Sequence, residues 1–132
     1  MVSMCLPEAK SGWLWKQSPS WFRMGTSQQR WIDVGEGKLV WKLREGDAAN
    51  KGCIDFESQD CYVEQVKESE TKFSVSPHGG QWNPGANFTG ADAGRPFVFD
   101  ASGSEFSSEQ WVEAIKANYT YAKQRLNCFS KA

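Results

Sequence analysis

The chain has 132 residues, 39 % hydrophobic and 23 % charged, with a net charge of −1, the make-up of one domain able to bury a core without staples. No apolar run nears the roughly 20 residues that span a bilayer, and so balanced a charge argues against a nucleic-acid-binding face. Cys5, Cys53, Cys61 and Cys128 form no Cys-x-x-Cys pair and are accompanied by a single histidine, His78, which disfavours zinc; no metal and no cofactor are expected.

The start, MVSMCLP, lacks a basic segment followed by an apolar stretch, so no signal peptide is expected. The expected location is the cytoplasm, peripheral at membranes. The cysteines then read as free thiols, and Cys5 as unmodified, since Met1-Val lacks the glycine that myristoylation needs. The sequons at Asn87 and Asn118 carry no meaning in such a compartment. Charge is uneven along the chain. Residues 10–44 carry Lys10, Lys16, Arg23, Arg30, Lys38, Lys42 and Arg44 against Asp33 and Glu36, and a basic end on an acidic body orients a molecule towards an anionic surface.

In chain order, residues 1–9 read as an extension. Residues 10–16 (KSGWLWK) alternate Gly12, Leu14 and Lys16 against Trp13 and Trp15, a strand. Residues 30–34 (RWIDV), the tight turn Gly35-Glu-Gly37 and residues 38–44 (KLVWKLR) make a hairpin, with Leu39, Trp41 and Leu43 on one face. Residues 52–56, 61–66, 72–75 and 96–99 (PFVF) give four more short strands. Between the last two, residues 77–94 are rich in glycine and read as a long irregular loop, a mobile decoration. The period then changes. Ser107-Ser-Glu-Gln110 is a capping box, and Trp111, Ile115, Tyr119 and Ala122, flanked by Val112 and Ala114, follow at helical spacing. With no Gly or Pro after Ser107, the helix is expected to reach about Arg125, leaving 126–132 as a tail. Seven antiparallel strands and one amphipathic helix imply a mostly β barrel or sandwich whose open corner the helix covers.

These pieces resemble a known family. Gly12-Trp-Leu-Trp-Lys16 resembles the G-x-L-x-K opening of pleckstrin-homology (PH) domains, and Arg30-Trp-Ile-Asp-Val34 with Gly37-Lys-Leu-Val-Trp41 resembles their second and third strands. Lys51-Gly-Cys-Ile54 is similar to the start of the fourth strand, Pro96-Phe-Val-Phe99 to the seventh, and residues 107–115 (SSEQWVEAI) to the terminal helix with its Trp. The likeness covers residues 10–124 in order, within a domain placed at 10–125. It implies two orthogonal antiparallel sheets closed by a helix anchored on buried Trp111.

The resemblance also implies a site. In members that bind phosphoinositides, a basic residue ending the first strand and a K/R-x-R opening the second face the inositol phosphates, because phosphates need several N–H donors. Those positions are Lys16 and Arg30, which alternation sets on inward rows at the same mouth. Lys51 matches a position often basic in lipid binders, and Trp41 stands where members offer a Tyr. Gln28 departs from the pattern, a neutral amide where the motif has a cation. The alternative for Lys16 is a solvated strand-end lysine. In the first loop Trp21, Phe22 and Met24 surround Arg23, either as a membrane-probing tip with Arg23 meeting phosphates or as aromatics folded back onto the barrel.

Catalysis is disfavoured, because His78 is framed by no Cys or Ser motif and no Gly-rich loop enters a helix. Two functions stay open: a monomeric module that binds the anionic phospholipid surface through Lys16, Arg23, Gln28, Arg30, Trp41 and Lys51, or a module that binds a protein through exposed aromatics among Trp13, Trp15, Trp21 and Trp82.

Overall fold

The structure, a computed structural model, describes residues 5–17, 27–83 and 96–130, with side chains through residue 127. Seven strands, β1 (Lys10–Gln17), β2 (Ser27–Gly35), β3 (Lys38–Lys42), β4 (Gly52–Asp55), β5 (Cys61–Gln65), β6 (Lys72–Pro77) and β7 (Phe97–Asp100), precede one helix, α1 (Ser108–Ser130). All pairings are antiparallel, in the order β4-β3-β2-β1-β7-β6-β5. The two sheets that the resemblance implies are therefore halves of one sheet. β1 is the joint: it pairs with β2 along its whole length, while Trp15 and Lys16 also meet Asp100 and Phe99 of β7.

Alternation along these strands builds the core. Leu14, Ile32, Val34, Leu39, Ile54, Phe73, Val75, Phe97 and Phe99 point inward and are buried, joined by Phe56 just beyond β4. Trp13 and Trp15 point outward and remain exposed. Strand β3 stops at Lys42, two residues short of the expected end, because the chain turns at once, with the Asp47 N–H donating to the Arg44 carbonyl. Leu43, expected on the inner face with Leu39 and Trp41, is exposed.

The β2–β3 hairpin is closed by Glu36 and Gly37, between the paired residues Gly35 and Lys38. Both central residues have positive φ, 53° and 80°, as a two-residue turn matching the strand twist requires. Gly37 is also pressed against α1: a Cβ there would lie 3.1 Å from that of Ala122. Its N–H donates at 3.0 Å to Oδ1 of Asn118, whose Nδ2 donates to the Ala114 carbonyl. Asn118 is wholly buried; the second sequon is a structural tie between helix and hairpin.

The capping box forms as its residues predict, with the Gln110 N–H donating to Ser107 Oγ and the Ser107 N–H donating to Gln110 Oε1. Trp111, Val112, Ile115 and Ala122 are buried and Tyr119 is partly so, while Trp111 Nε1 donates to Ser104 Oγ. The helix runs past Arg125 to Ser130, so most of the expected tail is helical. Nothing in that stretch breaks a helix, and Leu126 there is exposed.

The loop expected over 77–94 is corrected at its start. Pro77 ends β6, His78–Gly80 form a short 3-10 turn, and Trp82 is buried against Phe97 at 5.6 Å between ring centroids. The Asn83 N–H donates to Oε1 of buried Gln59, and Asn83 Nδ2 donates to the Ser58 carbonyl. Trp82 thus leaves the set of exposed aromatics. Residues 84–95, with Asn87, lie outside the described residues. Among the described residues, Cys53 and Cys61 are free thiols; burial pushes the Cys61 thiol up to about 12.

Candidate functional site

The candidate site is the end of the barrel where β1 leads out and β2 leads back in. Cross-strand partners share a face. Lys16 stands opposite Gln28, and Leu14 opposite Arg30, so both cations and Gln28 lie on the inner face, one row apart. The arrangement expected from alternation is present.

Lys16 is not the solvated lysine of the alternative reading. It is 8 % exposed, with Nζ 5.0 Å from the ring centroid of Trp41 and 4.9 Å from that of Phe97. An ammonium taken out of water needs electrostatic compensation, and the negative ring faces supply part of it. Trp41 is itself 4 % exposed and packs on Phe97 at 5.0 Å. It forms the floor of the mouth, under the ammonium, and its contact with Lys16 is through the ring face. Gly52 makes room for it: a Cβ at Gly52 would lie 2.0 Å from Trp41 Cζ2.

Gln28 has a role that its missing charge hid. Its Oε1 accepts a 2.7 Å hydrogen bond from Arg30 Nη2, while Arg30 Nη1 donates to the Gln29 carbonyl at 2.9 Å. Two contacts fix the guanidinium plane and leave the rest of its five-donor fork uncommitted among the described residues. A residue two positions away on a strand is on the same face, which is the signal that could have shown this bond.

Lys51 is exposed, and its backbone N–H donates to the Trp41 carbonyl at 2.7 Å, so its backbone is tied to the end of β3 beside the floor. Asp33, the acid within β2, lies on the opposite face. There Ser11 Oγ and Trp31 Nε1 donate to its Oδ1, and Lys42 Nζ lies 3.1 Å from its Oδ2. Burial raises the Asp33 carboxyl, but the hydrogen bonds from Ser11, Lys42 and Trp31 outweigh it and hold the group below its ordinary value. That carboxylate is occupied on the outer face and does not neutralise the mouth. Arg23, Trp21, Phe22 and Met24 lie outside the described residues. Trp111, expected as a structural anchor, is buried in the helix–sheet interface, where its ring meets Gly12. The arrangement on the inner face is chemically a donor set for an anion: a fixed guanidinium and an ammonium on an aromatic floor.

No family model and no curated protein matches this chain. Solved structures do. The pleckstrin homology domain of the human KIAA0053 protein is 22 % identical with a TM-score of 0.63, over 91 % of this chain and 94 % of that one. The PH domain of human oxysterol binding protein-related protein 11 is 12 % identical with a TM-score of 0.60, over 97 % and 91 %. The Slm1 PH domain, solved in complex with inositol-4-phosphate, is 19 % identical with a TM-score of 0.52, over 85 % and 93 %. At these identities the likeness is one of architecture, and with the strand order, the corner helix and its buried Trp it establishes that this chain has the pleckstrin-homology fold.

Proposed function

We propose that this chain is a non-catalytic binding module that docks on anionic phospholipid headgroups, phosphoinositides foremost, at the mouth of the barrel. The observation that carries the reading is the Arg30 guanidinium, held by Gln28 on the inner face one row from Lys16. Arg30 is the planar fork for a phosphate and Lys16 the second charge, and Lys51 and Arg23 are the further cations that the sequence offers. The solved complex of a similar fold with inositol-4-phosphate supports the ligand class. The module is peripheral in this reading; no helix among the described residues is long and apolar enough to cross a membrane.

Co-sedimentation with phosphatidylcholine vesicles, with and without phosphoinositide, tests it. Each basic residue near an anionic surface contributes about 1 kcal/mol, so Lys16→Met with Arg30→Gln removes about 2 kcal/mol, roughly a thirtyfold loss of binding. Met keeps the apolar stem that packs on Trp41 and Phe97, and circular dichroism checks that the double variant is folded. A folded double variant that sediments like the wild type ends the proposal. Protein recognition is the second reading, favoured by Trp13 and Trp15, which are 38 % and 40 % exposed on the outer face of β1. A Trp13→Ser, Trp15→Ser variant that keeps vesicle binding but loses a protein partner separates the two.

A further inference from the structure

A second surface lies at the far edge of the sheet, independent of the barrel mouth. Among the described residues β5 pairs only with β6. The His78 N–H donates to the Asp60 carbonyl and the Val66 N–H to the Lys72 carbonyl, so residues 60 and 66 face β6. Because that orientation alternates along an antiparallel strand, Tyr62 and Glu64 also bond to β6. Cys61, Val63 and Gln65 turn their N–H and C=O groups the other way, towards α1. The outward pair on Val63 opens into a groove of about 330 Å³ lined by Cys61, Val63, Ile115, Lys116, Tyr119 and Thr120. An unpaired edge beside an apolar groove is the geometry in which an extended peptide adds a strand.

The occupant follows from shape and charge. Helix α1 walls the groove on its other side with Ile115, Lys116, Tyr119 and Thr120, which favours a lone strand over the edge of a second sheet. Lys116 is exposed on that wall, and no carboxylate lines the groove; Asp60, at its end, is engaged by Lys123 at 2.8 Å. We infer that the β5–α1 groove takes a single extended peptide segment, antiparallel to β5 at Val63, with apolar residues in the groove and an acidic residue on Lys116.

The probe is a labelled hexapeptide of alternating valine and glutamate, with its valine–lysine counterpart as control, titrated into the ¹⁵N-labelled full chain. Shifts are expected at the amides of Val63 and of residues 115–120. Affinity is expected to fall about tenfold on Lys116→Glu, where an attractive charge pair becomes repulsive, and in the lysine peptide, and to vanish on Thr120→Trp, which fills the groove from an exposed position. Val63→Pro removes the outward N–H without removing a ladder bond and is expected to weaken binding as well. The Lys16→Met, Arg30→Gln variant must bind the peptide like the wild type, so failure here and failure of the lipid reading are separate results. The inference is overturned if Val63 does not shift, if both peptides bind equally, if the mouth variant loses the peptide, or if the Val63 amide is already protected from exchange in the free protein. Shifts at Val63 that grow with protein concentration alone overturn it in favour of a second copy.

Discussion

Gly52 and Trp41 are a single feature written at two positions. The indole lies where a side chain at 52 would begin, and with Phe97 it forms the floor on which the Lys16 ammonium rests. Gly52→Ala is expected to destabilise by about 3 kcal/mol, since neither the ring nor the paired backbone can yield cheaply; urea denaturation measures it. Displacing the ring also moves the floor, so vesicle binding is expected to fall together with stability. Asp33 contributes at the outer face. Its carboxyl is held below the ordinary value of 3.8, so the folded state binds its proton more weakly than the unfolded chain does. Its stabilisation is therefore complete above that value and is lost as the pH falls through the lower, folded-state value. Asp33→Asn is expected to lower the urea midpoint at pH 7, with the difference from wild type closing as both are titrated down through the lowered folded-state value. A difference that persists at low pH would assign the effect to shape and not to charge.

At the scale of elements, α1 is held at its start, its middle and its outer face. Removing the cap by Ser107→Ala is expected to cost about 1 kcal/mol. Trp111→Ala, which empties the helix–sheet interface where the ring meets Gly12, is expected to cost about 4 kcal/mol. Thermal melts of the two variants give the ordering, and a larger loss at the cap would mean that the helix is anchored mainly by its own backbone. Two polar ties hold it further along: Asn118 to the Gly37 N–H and Lys123 to Asp60 and the Gln59 carbonyl. They fix the helix between the β2–β3 turn and the start of β5. That placement lays α1 against β5, with a groove lined by both.

For the whole molecule, the decisive property is the separation of charge along a nearly neutral chain. A net charge of −1 gives no general attraction to an anionic surface, so the proposed binding rests on the local cluster at the mouth. It follows that association with phosphoinositide vesicles should weaken steeply between low and physiological salt, where the screening length shrinks to about 8 Å, while peptide binding in the β5–α1 groove, which rests on the single charge of Lys116, should weaken less. Co-sedimentation and peptide titration at two salt concentrations check both. Equal salt sensitivity of the two would place them on one surface.

Seven strands, the Glu36–Gly37 turn, the capping box and the Trp111 stripe were legible in the sequence, because alternation, helical spacing and turn chemistry act over a few residues at a time. Lys16 and Arg30 on one face followed from the same period of two. What the tertiary structure decided depends on neighbours distant in the chain. Lys16 became buried because Trp41 and Phe97, from two other strands, close over it. Trp82 became core although it sits in a glycine-rich stretch, because Gln59 and Asn83 pin that stretch to the sheet. Gln28, read as a lost cation, became the acceptor that holds Arg30. Packing brings residues together by position in space, and local pattern carries no record of which distant strand will arrive.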